Sequence, residues 1–202
     1  MPKLEIKRLS FLDYGPFDLR LESGEVFGIR GESGSGKTLF LKAVADLIES
    51  SGQVLLDGVS RDQHSGPDWR RQVMLVPSEA QWWHETVGQH FTVEAKEVEW
   101  AKYGLKEEVA SWSVSQLSSG EKQRLCLARA ITRKPSVLLL DEPTANLDRD
   151  NAFRMESIVL QYLKEMEGTA IWVSHSGKQL RRVANRRAVM EHKRFGEEVT
   201  SE

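Results

Sequence analysis

An octapeptide near the N-terminus constrains this chain more than any other segment. It comprises Gly31, Glu32, Ser33, Gly34, Ser35, Gly36, Lys37 and Thr38. This order matches the phosphate-loop pattern G-x-x-x-x-G-K-S/T at every position. Residues 25–30 before it predict a strand, and residues 39–48 after it predict an apolar helix. A strand, a glycine-rich loop and a helix in this order are typical of an anion-binding turn.

The chemistry expected of this loop follows from its residue types. Its backbone N–H groups and the helix N-terminus would all be aimed at one anion. Lys37 would neutralise charge on the β- and γ-phosphates of a nucleotide, and the Thr38 hydroxyl would hold Mg²⁺. We therefore predict a nucleoside triphosphate site at residues 31–38.

Composition limits the remaining possibilities. The chain has 202 residues, 40% hydrophobic and 29% charged, which is ordinary for a globular protein of one large domain. Its formal net charge of −2 does not favour nucleic-acid binding. The single cysteine, Cys126, cannot form an intrachain disulfide and is consistent with a reducing compartment. We expect no signal peptide, and no apolar run approaches the ~20 residues that cross a bilayer.

Two continuous apolar runs predict strands that are covered on both faces. They lie at residues 137–140 and 169–173, and such runs are typical of a parallel α/β sheet. Residues 151–166 between them have apolar side chains at helical spacing. Further strands are predicted at residues 3–9, 17–21, 53–56 and 73–76, with a turn at residues 14–16.

The segment from residue 81 to 112 differs in composition from the rest. It contains four of the six tryptophans: Trp82, Trp83, Trp100 and Trp112. Charged stretches such as residues 93–102 predict helices, so we interpret the segment as a small inserted helical subdomain. The tryptophans are either its core, which we favour, or, for Trp82 and Trp83, a partner surface. Residues 191–202 are polar and predict a frayed tail.

Two acidic residues follow the apolar run at residues 137–140. Asp141 would lie beside the phosphate loop, where it can hold Mg²⁺ through its water shell. Glu142 is the next residue and can polarise a water for in-line attack on the γ-phosphorus. This pair predicts hydrolysis rather than binding alone.

A second helix start carries a more specific pattern. Leu117 is followed by Ser118, Ser119, Gly120 and Glu121, which open a helix and again present N–H groups to an anion. This stretch resembles the signature motif of ABC ATPases, Leu-Ser-Gly-Gly-Gln/Glu, with Ser119 in place of the first glycine. Residues 143–148 resemble the D-loop of that family, and His175 matches its switch histidine.

The resemblance covers residues 3–190 and implies a fold. We expect an α/β P-loop NTPase with a mostly parallel sheet, an N-terminal antiparallel β part and a small inserted helical subdomain. The whole chain, 1–202, would be a single ABC ATPase domain. Residues 1–80 and 121–190 would form the core, residues 81–120 the helical signature subdomain, and residues 191–202 a tail.

The resemblance also implies a function and a set of roles. Members hydrolyse ATP with Mg²⁺ as head-to-tail pairs, here a homodimer or a heterodimer with a second ABC ATPase subunit. Lys37, Glu142 and His175 would act in catalysis and Thr38 and Asp141 in metal binding. Ser118, Ser119, Gly120 and Glu121 would contact ATP bound at Lys37 of the partner copy. Separate transmembrane permease subunits would hold the chain on the cytoplasmic face of the cell membrane, and no nucleic acid is expected.

The sequence departs from the family pattern at two places. The family has a glutamine after the strand at residues 73–76, where this chain has Ser78, with the nearest glutamine at Gln81. We favour Ser78 as the replacement and assign it to the metal site. The family also stacks adenine on an N-terminal aromatic residue, for which Tyr14 is favoured over Phe11.

Three functional hypotheses remain. The leading one is the ATP-hydrolysing subunit of a membrane transporter, with a weak resemblance to bacterial iron or metal-export subunits. A soluble mechanical ABC ATPase is the second, but its members usually have two cassettes or a long coiled-coil insertion. The third is a nucleotide-gated regulatory module with low turnover, which the replacement at Ser78 keeps open.

Overall fold

The chain forms two β-sheets and five α-helices in the residues that the computed structural model describes, 3–93 and 97–197. The strands are β1 Leu4–Phe11, β2 Tyr14–Leu21, β3 Val26–Arg30, β4 Ser51–Leu56, β5 Val59–Ser60, β6 Val73–Val76, β7 Val137–Asp141, β8 Thr169–Val173, β9 Arg186–Glu191 and β10 Arg194–Glu197. The α-helices are α1 Lys37–Val44, α2 Gly66–Gln72, α3 Ser119–Ile131, α4 Arg149–Glu165 and α5 Gly177–Val183.

The larger sheet has the order β10-β9-β3-β8-β7-β6 and is parallel except at β10. Every residue of β7 and β8 is buried. Val137 and Leu139 belong to one hydrophobic cluster, with α1, whereas Leu138 and Leu140 belong to another, with α3 and α4. Two-sided burial explains the continuous apolar runs, so the predicted mostly parallel α/β sheet is confirmed.

The smaller sheet is antiparallel and has the order β2-β1-β4-β5. Phe17, Leu19 and Leu21 alternate with exposed residues along β2, as expected for a strand with one buried face. These side chains join α1 and one face of the larger sheet in a common core. The predicted N-terminal antiparallel part is therefore present.

The position of the first hairpin turn differs from the prediction. Residues 14–16 were predicted to be a turn, but they form the start of β2. The chain instead reverses at Leu12 and Asp13, where Leu12 has a φ of +50°. The glycine and proline that indicated a turn lie within the strand, where the Gly15 N–H donates to the Lys193 carbonyl at 3.0 Å.

The tail prediction is wrong for residues 191–197. They form the hairpin of β9 and β10, in which Phe195 lies with its ring centroid 4.8 Å from Phe17, 5.0 Å from Phe40 and 5.5 Å from Phe27. One apolar residue anchors an otherwise polar strand, which polarity alone does not reveal. Residues 198–202 of the predicted tail lie outside the described residues.

In the described residues of the insertion, the predicted helices are short 3₁₀ helices. Among the described residues between 81 and 117, helical turns occur at Gly88–His90, Trp100–Tyr103, Glu107–Ser111 and Val114–Gln116. The predicted helix at 93–102 is absent where it is described, and residues 94–96 lie outside the described residues. Gly104 ends the second turn in a left-handed conformation, with a φ of +67°. Side chains such as Val98 and Tyr103 therefore pack individually on the core.

The tryptophans of the insertion divide between the two interpretations. Trp100 is buried in the core, and Trp82 and Trp112 pack against it while half-buried. Trp83 is 61% exposed. The core interpretation is confirmed for Trp100, whereas Trp83 presents its ring to solvent. None of the helices in 3–93 and 97–197 is long and apolar enough to cross a membrane.

We expect Phe195→Ala to destabilise the fold by about 3 kcal/mol, the lower end of the cost of truncating a packed phenylalanine. The physical reason is the loss of three aromatic contacts that hold β10 to the core. Urea unfolding measures the change. Leu12→Ala is the matched control, because Leu12 is 81% exposed and its truncation should cost less than about 0.5 kcal/mol. Equal effects of the two variants would show that the hairpin is not anchored as described.

Candidate active site

The phosphate loop connects β3 to α1 and has a backbone that requires glycine. Gly34 and Gly36 have φ values of +79° and +103°, in the left-handed region. A Cβ atom on Gly36 would lie 2.3 Å from the Tyr14 ring, and one on Gly31 would lie 2.5 Å from the Met190 carbonyl oxygen. The loop is therefore held between two neighbouring segments, with no room for side chains at these positions.

Lys37 begins α1, and its ammonium group is folded back into this loop. Its Nζ donates to the carbonyl oxygens of Gly31 at 2.8 Å and Glu32 at 2.7 Å. The side chain is buried, and burial lowers the pKa of Lys37, with Glu142 and Asp141 opposing the shift. A buried cation held by backbone carbonyls of the phosphate loop is suited to neutralising the charge of a bound phosphate.

Thr38 and Asp141 meet across the sheet edge. The Thr38 hydroxyl donates to Asp141 Oδ2 at 2.9 Å, although the residues are 103 positions apart in sequence. Burial raises the pKa of Asp141, and the bond from Thr38 and the charge of Lys37 oppose that shift. A hydroxyl and a carboxylate side by side are oxygen donors of the kind that Mg²⁺ prefers. The residues present therefore fit a magnesium ion.

Glu142 follows Asp141 with a φ of +49°. Its N–H donates to the Val173 carbonyl at 3.1 Å, and its Oε1 lies 3.4 Å from Nε2 of His175. Oε1 is buried and has no hydrogen-bond partner among the described residues. Burial raises the pKa of Glu142, while the charges of His175 and Lys37 oppose the rise. A largely buried carboxylate with a raised pKa, in contact with the His175 imidazole, is suited to accept a proton from water.

One pocket of about 230 Å³ brings these groups together. Its lining includes Ser33, Gly34, Gly36, Lys37, Thr38, Leu39, Ser78, Asp141, Glu142 and His175. The parallel strands explain this convergence, because their carboxyl ends meet at one edge of the sheet. A second pocket, of about 850 Å³, lies on the other side of the loop and includes Gly31, Glu32, Ser35 and His175.

The two alternatives for the missing glutamine are separated by the structure. Ser78 lines the 230 Å³ pocket together with Thr38 and Asp141. Gln81 is exposed, donates from Nε2 to the Glu79 carbonyl at 3.4 Å, and is not part of that lining. The chain after β6 therefore directs Ser78, and not Gln81, towards the candidate metal donors.

The two aromatic candidates also occupy different environments. Phe11 is buried in the hydrophobic core, where its ring stacks on that of Tyr14 at a centroid distance of 5.3 Å. Tyr14 is half-buried, lies against Gly36 and brings its hydroxyl to 3.5 Å from the Gly34 carbonyl. Of the two rings, Tyr14 is the one beside the phosphate loop.

The signature residues form a well-capped helix start at a separate place. Ser118 caps α3 by accepting from the Glu121 N–H at 3.3 Å, and the Ser118 N–H donates to Glu121 Oε2 at 2.9 Å. Ser119 begins the helix, and Gly120 faces the Asn146 carbonyl of the loop between β7 and α4. None of residues 118–121 lines either phosphate-loop pocket in the described part of the chain.

A buried polar network beside His175 has no counterpart in the sequence analysis. Gln179 Nε2 donates to Thr144 Oγ1 at 2.7 Å and to Glu156 Oε1 at 2.8 Å. Arg182 binds both oxygens of Glu156, at 2.7 and 3.0 Å. The one available signal was Glu156 itself, a charged residue within the otherwise apolar stripe of the helix at residues 151–166.

Residues 14–145 match the sequence profile of the ABC transporter family. The chain belongs to the ABC transporter family. This membership accounts for the order of the phosphate loop, the signature motif and the acidic pair along one chain, and it confirms the resemblance on which those motifs were assigned.

Curated relatives within the ABC family match nearly the whole chain. The putrescine transport ATP-binding protein PotG of Escherichia coli (strain K12) is 32% identical over 213 residues, covering 96% of this chain and 56% of PotG. The tungstate uptake system ATP-binding protein TupC of Peptoclostridium acidaminophilum is 30% identical over 195 residues, covering 89% of this chain and 87% of TupC. The chain spans 56% and 58% of the lengths of PotG and a PotA relative.

Solved ABC structures share the fold at low sequence identity. A bacterial Atm1-family ABC exporter with ATP bound superposes with a TM-score of 0.84 at 20% identity, covering 97% of this chain and 38% of that chain. A dimeric ATP-binding cassette in a post-hydrolysis state, bound to ADP and Pi, gives 0.81 at 20% identity, covering 95% and 96%. The predicted P-loop ATPase fold is thereby confirmed.

We expect Gly36→Ala to weaken ATP binding at least about tenfold, since about 1.4 kcal/mol of strain is enough for that factor. The added methyl group would meet the Tyr14 ring and force the loop to move. Isothermal titration calorimetry with Mg²⁺ measures the dissociation constant. Gly24→Ala is the matched control, because it has a φ of +78° and nothing within 4 Å of the new atom. Unchanged affinity in Gly36→Ala would contradict this account of the loop.

Proposed function

We propose that this chain is the ATP-binding and ATP-hydrolysing subunit of an ABC membrane transporter. One observation carries the proposal: Lys37, Thr38, Asp141, Glu142 and His175 line a single pocket of about 230 Å³. A cation, two candidate metal donors, a carboxylate with a raised pKa and an imidazole are the groups that phosphoryl transfer to water needs. The family membership supports the same assignment.

The proposed division of roles follows the geometry. Lys37 neutralises the phosphate charge, and the backbone amides of the loop orient the γ-phosphoryl group. Thr38 and Asp141, with Ser78 beside them, would hold Mg²⁺, which supplies charge neutralisation on the phosphate oxygens when it is bound. Tyr14 is proposed to stack on adenine.

Glu142 is proposed to act on the attacking water. Its buried Oε1 has no hydrogen-bond partner among the described residues, so a water molecule could satisfy it. His175 lies 3.4 Å away and would orient the same water and contact the γ-phosphate. The side chain of His175 is 60% exposed, so it would be accessible to a nucleotide bound in the pocket.

The proposed site is completed by a second subunit. Ser118, Ser119, Gly120 and Glu121 do not line the phosphate-loop pockets of their own copy. In the proposed head-to-tail pair, the helix start that they form contacts the ATP bound to the partner's phosphate loop. The pair would be a homodimer or would include a second ABC ATPase subunit.

A membrane partner is proposed to dock beside Trp83. This ring lines a pocket of about 210 Å³ with Met74, Leu75, Pro77, Cys126, Arg129, Ala130 and Arg133. The Arg129 guanidinium lies 4.7 and 4.9 Å from the ring centroids of Trp82 and Trp83. An exposed tryptophan whose ring packs against an arginine guanidinium is typical of a residue that anchors a protein interface. The subunit would then be peripheral, on the cytoplasmic face of the membrane.

A regulatory module with low turnover is the second candidate. Ser78 lines the candidate metal pocket in place of the family's glutamine, and its hydroxyl reaches less far than a glutamine amide. A phosphate-release assay on the purified chain, with and without membrane subunits, distinguishes the two candidate functions. Sustained ATP turnover supports the transporter subunit. ATP binding without turnover supports the regulatory module.

We expect Glu142→Gln to bind ATP normally, to accumulate as a dimer and to lose about 10²- to 10⁴-fold in hydrolysis, the usual contribution of a general base. A phosphate-release assay gives the rate, and light scattering with ATP gives the mass. Glu49→Gln, at an exposed position, is the matched control and should retain full turnover. Full turnover in Glu142→Gln would remove the role assigned to that residue.

We expect Trp83→Ala to weaken binding of the membrane subunit by about 2 kcal/mol, the loss typical of an interface anchor, without changing hydrolysis by the free chain. Co-purification from native membranes, with the integral subunit identified by mass spectrometry, tests this. Leu160→Ala is the control, because Leu160 is 37% exposed on α4. Equal recovery of the membrane subunit with both variants would place the docking surface elsewhere.

A further inference from the structure

We propose that Gln179 is a positioning residue for the reaction, acting through its hydrogen bond to Thr144. This bond would set the spacing between the loop that carries Glu142 and the loop that carries His175. The inference rests on the roles given to Glu142 and His175 in the proposed function. Gln179 does not line the 230 Å³ pocket among the described residues, but it borders a neighbouring cavity of about 400 Å³ together with Glu142 and His175, so its proposed effect is on the positions of those two groups.

The Gln179 side-chain nitrogen makes two hydrogen bonds in the structure. The side chain is 5% exposed, and Nε2 donates at 2.7 Å to Thr144 and at 2.8 Å to Glu156. An amide nitrogen has two hydrogens, so both are used. A buried amide with both donors satisfied has one favourable orientation, because any rotation leaves a donor without a partner.

Glu156 holds the Gln179 side chain in place from the side opposite Thr144. Its side chain on α4 is buried, and its carboxylate accepts from Arg182 at 2.7 and 3.0 Å as well as from Gln179. Arg182 also lies over the Phe153 ring at 4.6 Å. Charge-assisted bonds of this length are stronger than neutral ones, so Glu156 holds the Gln179 amide in place.

The two ends of the Thr144–Gln179 bond lie close to the two proposed active groups. Thr144 follows Glu142 by two positions, and Gln179 follows His175 by four. The loops are also joined on the other side of the site, where the Glu142 N–H donates to the Val173 carbonyl at 3.1 Å. The His175 side chain is 60% exposed, and its Nε2 lies 3.4 Å from Glu142 Oε1, so its position depends on the relative placement of the two loops.

The loop that carries Glu142 is held at two points, by the bond from the Glu142 N–H to Val173 and by the bond from Gln179 to Thr144. Two attachments restrict its position more than one would. Without the Gln179–Thr144 hydrogen bond, Thr144 and the adjoining residues could move relative to α5. The distance between Glu142 and His175 would then change. Misplacement by about 1 Å can lower a rate by about 10²-fold without any loss of binding. The inference therefore predicts an effect on kcat rather than on KM.

The test uses two substitutions that remove the bond from opposite ends. Thr144→Val keeps the side-chain shape without the hydroxyl, and Gln179→Met keeps the length without the amide. We expect each to lower kcat for ATP about 10- to 100-fold and to leave KM within about twofold. Thr144→Ser retains the hydroxyl and should keep kcat within about threefold. Gln161→Met, at an exposed amide on α4, should match the unmodified chain.

The double variant decides whether the bond itself is responsible. If it is, Thr144→Val/Gln179→Met should lose no more than the worse single variant. Losses that multiply, wild-type kcat in both single variants, or a loss in Thr144→Ser equal to that in Thr144→Val would each overturn the inference. Thermal unfolding of all variants excludes a folding defect, and Thr144→Val, at a half-buried loop position, is the variant expected to remain folded.

A measurement that needs no turnover separates this inference from the proposed function. The imidazole resonances of His175, assigned by comparison with His175→Ala, report on its surroundings in the nucleotide-free chain. We expect them to shift in Thr144→Val and Gln179→Met but not in Thr144→Ser. Unchanged resonances in the first two would refute the positioning role, whereas absence of ATP hydrolysis by the unmodified chain would refute the proposed function alone.

Discussion

The parallel alignment of β3, β7 and β8 is the constraint on which the whole site depends. The phosphate loop is separated from the acidic pair by more than 100 positions, as the Thr38–Asp141 bond across 103 residues shows, and His175 comes later still in the chain. Only a sheet whose strands all end at one edge can bring them to a single pocket. The backbone bonds from Glu142 to Val173 and from Ser174 to Ile29, both 3.1 Å, continue this alignment beyond the strands.

That arrangement concentrates charge where water is partly excluded. Burial lowers the pKa of Lys37 and raises those of Asp141 and Glu142, which means that loss of water disfavours the charged form of each group. The mutual attraction of the cation and the two carboxylates compensates for part of the cost. A site with this balance is best satisfied when a polyanion and a divalent cation enter together, which is the pairing that Mg²⁺ and a nucleoside triphosphate present.

Most of the central fold could be predicted from local patterns, and two of the misses share one physical cause. The strands at residues 73–76 and 169–173 coincide with the observed ones, because both are continuous runs of residues that are buried or half-buried in the sheet. Phe195 and the 3₁₀ turns of the insertion were missed because they are stabilised by distant packing. Their own segments are polar or irregular, and local propensity is a weak guide when tertiary contacts decide.

The sequence by itself determined the chemistry of the site: the glycines and Lys37 of the loop, the acidic pair at residues 141–142 and the family to which the chain belongs. These features are contiguous, so their spacing along the chain is enough to identify them. The sequence favoured Ser78 over Gln81 and Tyr14 over Phe11, and the tertiary structure places Ser78 in the pocket lining and Tyr14 beside the loop. The tertiary structure alone decided that Gln179 joins Thr144 to Glu156. Such contacts depend on the direction in which each side chain leaves the backbone and on which residues pack against it. Neighbouring residues in the sequence determine neither of these.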